Sequence, residues 1–228
     1  MVAILVWLGL VYLAAAVPFG LVLSTLYGGD VDLRAAGSGN IGATNVARVF
    51  GWRIAAATLA LDAAKGGFAV LGTFVLFPEV PGLAAVVAVT AFVGHCWPIY
   101  LDFRGGKGVA TTAGAMLAYA PGPTLIAAAV WGAVLATTGR SSIAALVATA
   151  TMLGATVYFD PAAAAVVAVL AVGIVVRHLS NLGRLARGEE PTVVAPVHWG
   201  RAGAPKDPRA ALEESPDGGP ATSTGWRH

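Results

Sequence analysis

The chain has 228 residues, of which 57% are hydrophobic and 11% are charged, and its mean hydropathy is +0.75. Soluble domains carry roughly 25% charged residues, so this composition argues against a soluble globular protein. The formal net charge is only +2, and the basic residues are scattered, whereas a nucleic-acid-binding protein needs a clustered basic face. The single cysteine, Cys96, excludes an intrachain disulfide framework and a multi-cysteine metal site.

Seven apolar segments follow one another along the chain, separated by polar or Gly- and Pro-rich connections. Stretches of about 20 apolar residues match the hydrocarbon thickness of a bilayer. A helix satisfies its own backbone hydrogen bonds there, whereas an open sheet cannot. The sequence therefore predicts an all-α fold, a polytopic transmembrane helical bundle of about seven spans. The segments are residues 2–27, 54–77, 83–101, 109–120, 124–138, 142–158 and 162–176.

The fourth segment is short for a full crossing, and a re-entrant piece remains an alternative. Charge distribution favours seven crossings, because the connections after the second, fourth and sixth segments then hold Glu79 and Asp160 but no Lys or Arg. Of the 14 Lys and Arg residues, all but Lys65 fall on the opposite side. By the positive-inside rule that side is cytoplasmic, so the N-terminus is predicted outside and the C-terminus cytoplasmic. Six spans would put Arg140 on the wrong face.

Composition also divides the chain into two parts. Residues 1–194 are predicted to form one membrane-embedded domain. Residues 195–228 are rich in Pro, Gly, charged and small residues without sustained periodicity. Such a segment buries too little apolar surface to order itself, so it is predicted to be a disordered cytoplasmic tail.

Three polar loops share the predicted cytoplasmic side: residues 37–48, 94–108 and 177–191. The first reads Gly-Ser-Gly-Asn-Ile-Gly-Ala-Thr-Asn-Val-Ala-Arg. Small residues let backbone N–H groups approach an anion, Ser, Thr and Asn add neutral donors, and Arg48 adds the charge and fork geometry that phosphate favours. A flexible turn with an ordinary capping residue is an equally good interpretation of this loop by itself.

The second loop contains Gly105-Gly106-Lys107-Gly108 at the start of an apolar helix. A permissive backbone, a Lys charge and a helix N-terminus favour a phosphate site, although a tight turn with topology-setting charges is the alternative. It lacks the Walker A pattern, so nucleotide hydrolysis is disfavoured. His95 lies in an apolar stretch, where a structural histidine is commoner than a catalytic one.

The third loop reads Arg-His-Leu-Ser-Asn-Leu-Gly-Arg-Leu from residue 177. On a helix, His178 and Asn181 share a face. A basic stretch that contacts anionic lipid headgroups is the competing interpretation. Asp62 and Lys65 stand three residues apart inside the second segment, where charges are expensive, so a mutual pair is expected there.

Together, the three loops resemble the PlsY family of bacterial acyl-phosphate:glycerol-3-phosphate acyltransferases. The family patterns are approximately Gly-Ser-Gly-Asn-x-Gly-Ala-Thr-Asn-x-x-Arg, then Gly-His-x-Phe-Pro with Phe-x-Gly-Gly-Lys-Gly-Val-Ala-Thr, then Arg-His-x-x-Asn-x-x-Arg-Leu with Gly-x-Glu. The resemblance covers residues 2 to about 191. Trp97 stands where Phe is usual, and Ile41 replaces a common Pro. These departures touch packing and lipid contacts more than chemistry.

The resemblance implies acyl transfer from acyl phosphate to the 1-hydroxyl of glycerol 3-phosphate, giving lysophosphatidic acid at the bacterial cell membrane. It also implies a set of site residues. The expected catalytic residues are Ser38, Arg48, Lys107, His178 and Asn181. The expected phosphate-binding residues are Gly39, Asn40, Thr44, Asn45, Gly105, Gly106 and Gly108, with Glu190, His95, Asp62 and Lys65 in supporting roles.

The sequence contains no Ser-His-Asp, Cys-His or His-x4-Asp acyltransferase arrangement. His178 is a candidate general base, because histidine titrates near neutrality, and the family alternatively allows a substrate phosphate oxygen to take the proton. The expected partners are the two substrates and membrane lipid, without nucleic acid, cofactor or metal. A small polytopic anion transporter is the alternative function. That class needs polar residues along the spans, and here only Asp62 and Lys65 lie deep.

Overall fold

The structure is a computed structural model that describes residues 1–28 and 31–193. Within this part of the chain the regular elements are all helical, as the sequence predicts, and the predicted tail at 195–228 lies outside it. The α-helices are α1 Val2–Ala15, α2 Phe19–Gly28, α3 Ala43–Phe50, α4 Trp52–Leu76, α5 Leu83–Cys96, α6 Val109–Tyr119, α7 Pro121–Thr138, α8 Ser141–Phe159, α9 Ala164–Arg177 and α10 Leu179–Ala186.

The first apolar segment is broken into α1 and α2 at Pro18. Proline has no N–H and cannot continue the intrahelical ladder, so the helix is interrupted there. At this break the carbonyl of Val17 accepts a hydrogen bond from Lys65 Nζ at 3.0 Å, which connects the first segment to α4. The α1–α5 interface is also fixed by Tyr12, whose hydroxyl donates to the carbonyl of Trp97 at 2.8 Å.

Helix α6 lies unusually close to α4. A Cβ atom at Gly66 would overlap the carbonyl of Thr111, and one at Gly114 would overlap the carbonyl of Ala63. Both glycines therefore permit backbone contact that any larger residue would prevent. This close packing fixes the start of α6, where the Gly-Gly-Lys-Gly sequence ends.

Five helical stretches in the described residues are long and apolar enough to cross a membrane, namely Val2–Tyr27, Trp52–Leu76, Leu83–Leu101, Pro121–Thr138 and Ser141–Phe159. A sixth is reached if α9 and α10, which are bent by 54° at His178, count as one. Helix α6 has 11 residues and spans about 16 Å. The polytopic helical architecture is confirmed, while the number of seven spans and the orientation of the termini stay predictions.

Phe92 of α5 links the second and third polar loops. Its ring fills the space beside Gly108 and Gly173, where a Cβ atom would collide with it in both cases. Phe92 itself is buried in the main core with Val87, Ala88 and Ala91. The core therefore holds the loop before α6 against α9, whose end begins the third polar loop.

Candidate active site

The three polar loops converge on one cavity of about 580 Å³. Residues predicted from each loop line it, although successive loops are separated by more than 40 residues along the chain. The predicted residues that line the cavity are Ser38, Asn40, Thr44, Arg48, Asp62, His95, Lys107, Gly108, His178, Asn181 and Glu190.

Asn45 organises the first loop from inside. It is 1% exposed, its Nδ2 donates to the carbonyls of Leu33 and Ala36 at 3.1 and 3.0 Å, and its Oδ1 accepts from the Ser38 N–H at 2.8 Å. Neither Asn45 nor Gly39 lines the cavity. Asn45 therefore shapes the loop, and this shape presents Ser38 to the cavity.

Arg48 ties the first loop to the end of the described chain. Its Nε and Nη2 donate to the carbonyls of Thr192 and Pro191 at 3.1 and 3.0 Å. Arg140 Nε adds a hydrogen bond to the carbonyl of Glu190 at 3.3 Å. The short segment at residues 190–193 thus crosses beside the cavity, and it carries Glu190 inward.

The Gly-Gly-Lys-Gly loop is held by its backbone. The N–H groups of Gly105 and Gly106 donate to the carbonyls of Cys96 and His95, each at 3.1 Å. Their own carbonyls accept from Arg177, whose Nη2 lies 2.8 Å from Gly105 O and whose Nε lies 3.0 Å from Gly106 O. Neither glycine lines the cavity. The sequence predicts direct phosphate contact for both, and this stays a prediction. In the present geometry their N–H groups donate to protein carbonyls and hold the loop.

Lys107 follows these two glycines and lines the cavity. The pKa of its ammonium is lowered to about 8, mainly by burial. The attraction of Glu190 raises this pKa, whereas repulsion from Arg184, Arg48 and Arg177 lowers it further. Low solvation and nearby positive charge both disfavour the protonated form of a lysine. The cavity therefore contains a cation whose charge is favoured by any anion that enters.

His178 lies at the junction of α9 and α10 and is 2% exposed. Its Nδ1 is 2.8 Å from the carbonyl of Ile174, and since a carbonyl only accepts, Nδ1 carries the hydrogen and Nε2 is an acceptor in the neutral ring. Burial, followed by the charge of Lys107, lowers the pKa of His178 to about 4. His178 is therefore a neutral hydrogen-bonding group at physiological pH.

Asn181 and Glu190 form the wall beside His178. Asn181 Nδ2 donates to Glu190 Oε1 at 2.6 Å, and Arg184 Nε donates to Glu190 Oε2 at 2.8 Å. Burial acts to raise the pKa of Glu190, but hydrogen bonds from its neighbours outweigh it, and the pKa lies below its ordinary value. Among the described residues, the buried Oδ1 of Asn181 has no hydrogen-bond partner. Asn181 lines the cavity, but this oxygen is itself buried.

The two charges inside α4 lie next to each other, 2.8 Å apart between Lys65 Nζ and Asp62 Oδ1. His95 Nδ1 is 3.6 Å from the same carboxylate oxygen. The His95 ring also lies against Gly106, because a Cβ atom there would overlap its Nε2. Asp62 and His95 line the cavity, whereas Lys65 points to the Val17 carbonyl at the Pro18 break.

The structure adds lining residues that sequence reasoning missed. Thr44 Oγ1 is 2.8 Å from Ser141 Oγ, so the start of α8 closes the polar end. The Ser141-Ser142 pair directly follows Gly139-Arg140, and this polar connection was a signal that could have indicated it. Beyond the polar end the wall becomes apolar, with Leu59, Ala63, Ala127, Ala128, Trp131, Ala145, Ala148 and Met152. The cavity is therefore amphipathic, with cations at one end and a hydrocarbon-like surface at the other.

Comparisons with known proteins agree with this arrangement. The family described as "Glycerol-3-phosphate acyltransferase" matches residues 5–188. A glycerol-3-phosphate acyltransferase of Rhodospirillum rubrum is 48% identical over 81% of this chain and 88% of its own length. One from Jannaschia sp. is 45% identical over 81% of this chain and 90% of its own.

Solved structures of an integral membrane glycerol 3-phosphate acyltransferase, PlsY (YgiH), have the same fold. Its glycerol 3-phosphate form is 31% identical with a TM-score of 0.78, and the match covers 83% of this chain and 95% of that one. Its lysophosphatidic acid form is 29% identical with a TM-score of 0.76 and the same coverage. The sequence resemblance to PlsY is confirmed, and this chain is a membrane protein that belongs to the glycerol-3-phosphate acyltransferase family.

Proposed function

We propose that the protein transfers a fatty acyl group from acyl phosphate to the 1-hydroxyl of glycerol 3-phosphate, releasing 1-acylglycerol 3-phosphate and inorganic phosphate. The observation that carries this proposal is the amphipathic cavity, which offers Arg48 and Lys107 to phosphate and an apolar wall to an acyl chain. Relatives named glycerol-3-phosphate acyltransferases support the acceptor. The donor is supported by the sequence resemblance to acyl-phosphate-dependent enzymes and by the lack of a His-x4-Asp acyltransferase motif in the sequence.

In this proposal, the polar end of the cavity holds both reacting phosphates. Arg48 and Lys107 neutralise them, and Ser38, Asn40, Thr44 and Gly108 line the same end. Holding two reactants in attack geometry contributes about 7–11 kcal/mol when the fit is good. Gly39, Asn45, Gly105 and Gly106 support binding indirectly, because they shape the two loops.

The reaction joins the 1-oxygen of glycerol 3-phosphate to the acyl carbonyl carbon and breaks the bond from that carbon to the donor phosphate. The leaving phosphate keeps the bonding electrons, and a substrate phosphate oxygen takes the hydroxyl proton. A low pKa makes His178 a weak base. Its neutral Nε2 instead fits an acceptor that orients a glycerol hydroxyl, as does Oδ1 of Asn181, which has no partner within the described part of the chain.

Two variants of His178 separate an orienting role from a base role. Orientation predicts that both His178→Ala and His178→Gln weaken glycerol 3-phosphate binding, with glutamine the milder change because it retains hydrogen-bonding atoms. A collapse in turnover at unchanged glycerol 3-phosphate affinity in both variants would argue for the base.

The proposed location is the bacterial cytoplasmic membrane, with the N-terminus outside and the cavity open to the cytoplasm. This follows from the positive-inside distribution of Lys and Arg. Cysteine substitutions at exposed Arg187 and Glu189 should react with membrane-impermeant reagents only from the cytoplasmic side. Labelling of these sites from outside intact cells would overturn the orientation.

The decisive experiment is a donor comparison with purified protein in detergent. Acyl phosphate with glycerol 3-phosphate should yield 1-acylglycerol 3-phosphate and phosphate in equal amounts, and acyl-CoA should not replace acyl phosphate. An anion transporter needs a sealed vesicle and forms no acyl ester. Turnover with acyl-CoA alone would refute the donor assignment, and no product with either donor would refute the enzyme.

A further inference from the structure

Most helical threonines among the described residues use their hydroxyl groups within their own helix. In helices a threonine hydroxyl commonly bonds a carbonyl one turn earlier. Here the hydroxyls of nine threonines donate to the carbonyl four residues before them. They are Thr58, Thr73, Thr90, Thr124, Thr137, Thr138, Thr149, Thr151 and Thr156.

Thr112 does not follow this pattern. It is 3% exposed, its hydroxyl has no hydrogen-bond partner among the described residues, and it lines the cavity. The carbonyl four residues earlier, on Gly108, accepts the backbone N–H of Thr112 at 2.8 Å. An unsatisfied buried hydroxyl costs roughly 1–3 kcal/mol. Since Thr112 lines a binding cavity, a ligand there can satisfy this hydroxyl once the side chain turns towards it.

The position of Thr112 indicates which part of a ligand it meets. Thr112 is four residues beyond Gly108, about 6 Å along the helix axis, and so about one turn from the Lys107 end. Helix α8 also lines the cavity, and its lining residues pass from Ser141 and Ser142 to Ala145, Ala148 and Met152, with Thr149 among them. Thr112 therefore stands near the boundary between the polar and apolar ends.

We propose that the Thr112 hydroxyl donates a hydrogen bond to the carbonyl oxygen of the acyl donor, a role that rests on the proposed function. A donor with its phosphate at Lys107 and its chain along Ala128 and Trp131 presents its carbonyl at this boundary. As the acceptor oxygen attacks, negative charge develops on that carbonyl oxygen. A donor aimed at this position stabilises the transition state, and the N-terminal end of α6 adds a favourable dipole.

Thr112→Val tests this role, because it removes the hydroxyl and keeps the shape. It should lower kcat by about 100-fold, the size found when one oxyanion donor is removed, while the KM for glycerol 3-phosphate changes little. The melting temperature in detergent should stay level or rise, since an apolar isostere replaces an unpaired hydroxyl. A purely structural hydroxyl would give the opposite, a lower melting temperature with kcat retained.

Thr111 supplies a matched control. It is fully buried, and its hydroxyl also lacks a partner among the described residues, but it does not line the cavity. Thr111→Val should therefore retain kcat within about threefold, and Thr112→Ser should recover most of the loss seen in Thr112→Val. The inference is overturned if Thr112→Val keeps kcat within threefold, if Thr112→Ser is equally impaired, or if Thr111→Val is impaired as severely. Wild-type turnover in the same assay distinguishes these results from failure of the proposed function.

Discussion

Arg177 offers a sharp test of how the Gly-Gly-Lys-Gly loop works, because it contacts the loop without lining the cavity. Its guanidinium donates to the carbonyls of Gly105 and Gly106 and lies over the ring of Trp97, 5.4 Å from the ring centre. If these contacts hold Lys107 in place, Arg177→Met should impair acyl transfer although Arg177 does not line the substrate cavity.

The size of the effect follows from the two hydrogen bonds. Each bond from a charged donor contributes about 1.5–3 kcal/mol, and the pair therefore about 3–6 kcal/mol. Arg177 is only half-buried, so water can replace part of these hydrogen bonds in the variant. We therefore expect the active loop conformation to be destabilised by about 2–3 kcal/mol. At 1.36 kcal/mol per decade this corresponds to a decrease in kcat/KM of about 30- to 150-fold. Arg177→Lys should be intermediate, because an ammonium lacks the fork that reaches two carbonyls.

The assay is acyl transfer in detergent with the melting temperature measured on the same preparations. Arg187→Gln is the matched control, since Arg187 is exposed and pairs with exposed Glu189 at 2.7 Å. Exposed pairs contribute at most about 1 kcal/mol, so this variant should retain activity. If Arg177→Met keeps more than a third of wild-type kcat/KM, the loop does not depend on this clamp and the reasoning is wrong.

Three further predictions concern charge and metal. Asp62→Asn or Lys65→Met alone should cost about 3–5 kcal/mol of stability, because each leaves a buried partner uncompensated, and the double variant should melt higher than either. In the free enzyme Lys107 loses its proton as pH rises through about 8. Therefore kcat/KM should fall above that pH, and the profile of Lys107→Arg should stay flat. Activity should survive prolonged treatment with a chelator. Loss of activity would contradict the prediction and would show that the enzyme depends on a metal ion.

Much of the architecture could be predicted because it follows from local pattern. The second apolar segment was predicted at 54–77 and forms α4, Trp52–Leu76, and the sixth was predicted at 142–158 and forms α8, Ser141–Phe159. Hydrophobic length and flanking Gly or Pro are properties of the chain itself, so they indicate both helices. The break in the first segment was missed, although Pro18 was a visible signal.

The remaining features depend on contacts between distant parts of the chain. Arg48 was predicted as a phosphate ligand, and its bonds to the carbonyls of Pro191 and Thr192 span more than 140 residues. Gly105 and Gly106 were predicted to contact phosphate because glycine-rich loops often do so. Only the fold reveals that His95 and Cys96 offer carbonyls to their amides. Residue type thus indicated which positions matter, while the direction of each hydrogen bond required three-dimensional structure.

The charge arrangement explains how the free protein tolerates several cations around the cavity that we propose binds two phosphates. Arg48, Lys107 and Arg184 interact with one carboxylate, that of Glu190. These arginines and Arg177 also repel the Lys107 ammonium. Burial is the main cause of the depressed pKa of Lys107, and repulsion from the neighbouring arginines lowers it further. Glu190 limits the cost while its two oxygens are occupied by Asn181 and Arg184. Entry of a phosphate relieves the repulsion that remains, so part of the substrate affinity derives from a cost already present in the free protein.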